Sequence, residues 1–86
     1  MKTEIPSHTE EALRLYVDKG LPTGGFLYAV LTNDLFGAYS RADSENLAAM
    51  EAIVRYVYNK LPIGAWGSPE NVKNWLDIAR EKRGAQ

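Results

Sequence analysis

Apolar residues recur every three or four positions along most of the chain, and glycines and prolines punctuate the recurrence. Leu13, Tyr16 and Val17 predict a first amphipathic helix, since that spacing places all three on one side of a 3.6-residue turn. Ser7 and Glu10 carry the S-x-x-E spacing of a capping box at its start. Gly20 stands where a left-handed C-cap is expected, with Leu21 behind it and Pro22 barring continuation.

A second helix opens at Thr23, its expected N-cap, and runs to about residue 42. Leu27, Val30, Leu31, Leu35, Ala38 and Ala42 give it a broad apolar face that Phe26 and Phe36 widen. So little polar surface remains that this helix is expected to be the central, most buried one. Asp43 or Ser44 caps a third helix, in which Leu47, Met50, Val54, Val57 and Leu61 form a core stripe with Ile53 beside it. Pro62 ends that helix. The loop "PIGAWG" leads to Ser68-Pro69, a cap followed by the residue best suited to a first helical position. Val72, Trp75, Leu76 and Ala79 make the inner face of a fourth helix, and the tail "EKRGAQ" is expected to fray.

Sustained apolar–polar alternation is lacking, and so is an Asn-Gly or Asp-Gly hairpin turn. The pattern therefore predicts an all-α fold, a compact bundle of four short helices. It reads as one domain over residues 1–86, with an ordered core over about 5–79 and a fraying tail over 80–86. No repeat, low-complexity stretch or linker divides it.

Composition narrows the chemistry. The 86 residues are 45% apolar and 10% aromatic, as in a globular chain, and contain no cysteine. Disulfides, thiolate metal sites and cysteine nucleophiles are thereby excluded. The N-terminal stretch "MKTEIPSHTEE" lacks the apolar core of a signal peptide. The longest apolar run, residues 26–31, is too short for a bilayer span, so a cytoplasmic setting without a membrane partner is expected. A formal charge of −1 gives no global reason to expect nucleic acid or anionic lipid.

Two features resist a purely structural account. Gly24 and Gly25 open the second helix, although glycine costs roughly 1 kcal/mol against alanine inside one. They suit either close packing of the helix start or an anion-accepting terminus around Thr23. Without a lysine and a preceding strand they are no P-loop. Asn33 and Asp34 then stand inside the apolar run. A carboxylate buried there without partners would cost several kcal/mol, so it must be paired, protonated or set at a seam. Arg41 lies two turns beyond Asp34, roughly 10 Å along the axis. The pair either clamps a neighbouring element through hydrogen bonds or faces a ligand or partner.

His8, the sole histidine, sits in a helix start without a nucleophile near it in sequence. Asp43, Glu45 and Glu51 read as dipole partners and a solvated face, so no metal site and no cofactor are expected. The stretch from Phe36 to Tyr56 can be stretched into a helix-turn-helix. The acidic start of its second helix would repel DNA, so DNA and RNA are disfavoured as partners. Tyr56 and Tyr58 cannot both face the core, being two residues apart on a helix. One of them, with Tyr28 or Tyr39, should reach the surface. Trp66 either plugs an end of the bundle or joins those rings in an interface.

The strings "GGFLYAVLTNDLFGAYSRAD", "NLAAMEAIVRYVYNKLP" and "WGSPENVKNWL" resemble a family of small uncharacterised proteins of tailed bacteriophages and prophages. The resemblance spans about residues 5–76 and implies an origin, a phage accessory protein in the bacterial cytoplasm. It implies no catalytic residues. It draws attention to the glycine-opened helix, Asn33-Asp34, Arg41 to Asp43 and the Trp66-Gly67-Ser68 turn, which are expected to lie together on one side. The leading expectation is a non-enzymatic binding protein that blocks a host component, such as a defence system. The alternative is an oligomeric sponge holding a nucleotide-type signal in pockets between subunits. There the two helix starts would receive phosphate, Arg41 would pair with it, and a tyrosine or Trp66 would stack on the base. Expected partners are therefore a host protein or a nucleotide-type small molecule; the nucleotide reading calls for a homo-oligomer, and the host-protein reading leaves self-association open.

Overall fold

The longest apolar segment of the chain does not form one rod. A computed structural model, which describes residues 4–84, divides it into two short helices that fold back on each other. Six α-helices occur among the described residues, and no strand: α1 (Ser7–Lys19), α2 (Gly25–Leu31), α3 (Leu35–Arg41), α4 (Ser44–Ala48), α5 (Met50–Lys60) and α6 (Pro69–Gly84). A 3-10 turn at Ile63–Ala65 joins the last two. The all-α expectation holds, and the count of four is corrected to six.

The break after α2 is written in Thr32, Asn33 and Asp34. Thr32 Oγ1 turns back to donate to the Tyr28 carbonyl at 2.8 Å. Asn33 then takes φ 66°, a left-handed conformation that asparagine tolerates better than most residues. Its N–H reaches the Val30 carbonyl at 3.2 Å, and the Asp34 N–H reaches the Ala29 carbonyl at 2.8 Å. These two bonds make a Schellman termination, and they use carbonyls that a helix end leaves orphaned. Asp34 immediately starts the next helix, its carboxylate accepting from the Gly37 N–H at 3.0 Å as the N-cap of α3.

The chain reverses so completely that the last residue of α3 meets the first of α2. A Cβ placed on Gly25 would lie 3.3 Å from Cδ of Arg41. The expected interior amide–acid couple is therefore corrected: both residues are exposed, and they terminate one helix and initiate another.

The expected third helix is also interrupted, at Ala49, whose N–H is shared between the carbonyls of Glu45 and Asn46 at 3.1 and 3.2 Å. The core stripe is rotated from the expected one. Met50, Ile53, Val57 and Leu61 are buried, while Leu47 and Val54 face outward. Two expected caps are corrected as well. Pro6 precedes α1 in an extended conformation and its carbonyl receives the Thr9 and Glu10 N–H groups, so Ser7 is already helical and no capping box forms. Gly24 replaces Thr23 as the N-cap of α2, with its carbonyl accepting from Tyr28 N–H at 2.9 Å.

Other terminal signals appear as expected. Gly20 adopts φ 67°, Asp43 accepts from the Asn46 N–H at 2.8 Å, and Ser68 accepts from the Asn71 N–H at 3.1 Å just before Pro69. Helix α6 spans Pro69–Gly84 and so includes most of the stretch expected to fray; residues 85–86 lie outside the described residues.

Leu13, Tyr16, Leu31 and Ile53 form the centre of the core and are fully enclosed. Tyr16 joins three elements: its hydroxyl donates to the Ala65 carbonyl at 2.7 Å, and its own carbonyl accepts from Trp75 Nε1 at 3.2 Å. Gly20 lets α1 end hard against α6, where any Cβ would collide with that of Ala79. Thr9 and Asn46 form the one hydrogen-bonded pair of buried polar side chains among the described residues, Thr9 Oγ1 donating to Asn46 Oδ1 at 2.6 Å. The link ties α1 to α4 across the sequence. A smaller cluster of Ala29, Ala38 and Met50 holds α2, α3 and α5 together. The radius of gyration is 12.8 Å, close to the ~12 Å expected of a compact chain of this length. No helix among the described residues is long and apolar enough to cross a membrane.

Candidate functional site

The helical break shapes two adjoining depressions that share Ala29 and Asp34. The first is an apolar cleft of about 160 Å³ between α3 and α5. Ala38, Met50 and Val57 line its base, and Leu35, Val54 and Tyr58 stand around it. Trp66 closes one end, its ring 5.8 Å from that of Tyr58 and tilted by 58°. The indole N–H of Trp66 is buried without an acceptor, a state that costs about 1–3 kcal/mol.

Exposure is high for apolar residues of the lining, 61% for Leu35 and 69% for Tyr58, and higher still for Phe36 beside Leu35 on α3, at 85%. Phe36 and Tyr39 are three residues apart and Leu35 and Tyr39 four, so α3 presents these side chains as one outward stripe. The excess of apolar positions that made this segment look central thus lies at the surface.

The second depression is a more polar notch of about 330 Å³. It gathers Thr23, Gly24, Gly25, Tyr28, Asp34 and Arg41. Arg41 lies across Gly25, and its Nη1 donates to the Gly37 carbonyl at 3.3 Å. Asp34 binds the N–H of the same residue, so Gly37 holds acid and base at the same turn. The two charges form no ion pair within 4.0 Å. Close packing explains only half of the double glycine, since a Cβ on Gly24 would meet nothing within 4 Å.

The structure brings most of the expected site residues to these two neighbouring hollows. Asn33, Asp34 and Trp66 line the cleft; Thr23, Gly24, Gly25, Tyr28, Asp34 and Arg41 line the notch. Asp43, Gly67 and Ser68 line neither. Asp43 and Ser68 are helix caps, and the Gly67 N–H donates to the Leu31 carbonyl at 2.7 Å, fastening the C-terminal loop to the end of α2. Leu35, Phe36, Val54 and Tyr58 were not among the expected site residues. Tyr58 carried a signal in its two-residue spacing from Tyr56, and it is the exposed one of that pair; Phe36 carried another, an apolar residue beyond the width that a buried stripe needs.

Neither hollow is lined by a histidine, serine or cysteine. His8 instead meets Asp43 and Glu45, with ligand atoms within 4.8 Å of one another, all three residues being exposed. These side chains lie at the starts of α1 and α4, whose positive dipole ends suit carboxylates and oppose a cation. On α6, Lys73 and Arg80 both bond Asp77, at 2.8 and 2.7 Å, and hold its carboxyl below the usual range. No protein-family model matches the chain, and comparison with curated proteins and with solved structures gives no match either.

Proposed function

We propose that this chain is a non-catalytic binding protein that docks another polypeptide on the face formed by α3 and α5. One observation carries the reading: Leu35, Val54 and Tyr58 line an apolar cleft and are themselves exposed, and Phe36, next to Leu35 on α3, stands largely in water. Large apolar patches on small soluble domains mark interaction sites, because leaving them wet costs free energy that a partner recovers. Aromatic anchors around a cleft are also what binding hot spots use. Together with the resemblance to phage proteins, this favours stoichiometric blocking of a host component in the bacterial cytoplasm.

The test is a photo-cross-linking residue in place of Tyr58, with a second at Ile78 on α6 as control. Adducts with a polypeptide are expected from position 58 and not from 78. Equal yields, or none from 58, overturn the docking face.

The notch favours a second reading, capture of a nucleotide-type ligand, because it unites Tyr28, Thr23 and Arg41. Arg41 would meet the phosphate and Tyr28 the base. The Asp34 carboxylate in the same notch opposes an anion, which ranks this reading second. Calorimetry with cyclic and linear nucleotides should give saturable heat that Arg41→Ala removes; flat traces discard the idea.

A further inference from the structure

We draw no further inference here: the strongest candidate, the exposed side-chain cluster of His8, Asp43 and Glu45 where α1 and α4 begin, sits at helix ends that oppose a cation, and nothing else among the described residues points to a ligand there.

Discussion

The interior between α1, α5 and α6 and the face between α3 and α5 are built from the same kinds of residue and behave oppositely. In the first, Leu13, Tyr16 and Ile53 are wholly enclosed and the polar atoms among them are matched, as the Tyr16 hydroxyl and the Trp75 indole show. In the second, Leu35, Phe36 and Tyr58 stand in water, and the buried Trp66 indole beside them lacks an acceptor. Apolar character alone therefore does not say where stability resides. The enclosed region holds the chain together, and the open one has surface to offer.

Substitutions that cut through this contrast should differ in size. Ile53→Ala removes a fully enclosed side chain at a cost of about 2–5 kcal/mol. With about 4–8 °C of melting temperature per kcal/mol in a domain of this size, a fall beyond about 10 °C is expected by calorimetry. Phe36→Ser in the open region should stay within about 0.5 kcal/mol of the parent when the protein is dilute. Equal losses would erase the distinction.

Tyr16→Phe should be the next largest, about 1–3 kcal/mol, since it leaves the Ala65 carbonyl unpaired. It also sharpens the contrast through pH. Burial pushes the Tyr16 phenol from 10.0 to about 12. Between those values the folded chain keeps a proton that the unfolded chain has released, so stability falls as pH rises. Below pH 10 this contribution is fully present. Tyr16→Phe should flatten that alkaline decline in melting temperature; an unchanged slope would show that the phenol is not the cause.

At the break between α2 and α3, Asn33→Ala should cost about 1–2 kcal/mol, because alanine resists the left-handed conformation that asparagine holds. Asn33→Gly should melt at or above the parent. A loss with glycine as large as with alanine would mean that the amide itself binds something. Least of all, Asp77→Asn on α6 should leave the melting temperature within replicate scatter, because its two partners are exposed lysine and arginine side chains.

The sequence disclosed the helical class through its apolar period and several ends through Gly20, Asp43, Ser68 and Pro69. It concealed the reversal at Asn33, because the apolar period on either side continues as though one helix ran through. The decisive term there is local: an asparagine that accepts a left-handed backbone, followed by an aspartate that caps. Both residues were visible as oddities, but their chemistry fitted a buried seam equally well. Val54 and Leu47 misled for another reason. Their spacing matches the core stripe, and only the rotation of the helix against its neighbours decides which edge of the stripe is covered. The open face was the least legible, since a buried and an exposed phenylalanine are the same letter.

The bond from Gly67 N–H to the Leu31 carbonyl has a consequence for biosynthesis. While the ribosome is still making the second half of the protein, α2 lacks the partner that closes its end, and Tyr16 lacks the acceptor on Ala65. The nascent chain must wait for its C-terminal third before the N-terminal helices can settle. Protease resistance is then expected only once the segment from Ala65 to Gly67 has emerged and closed these contacts.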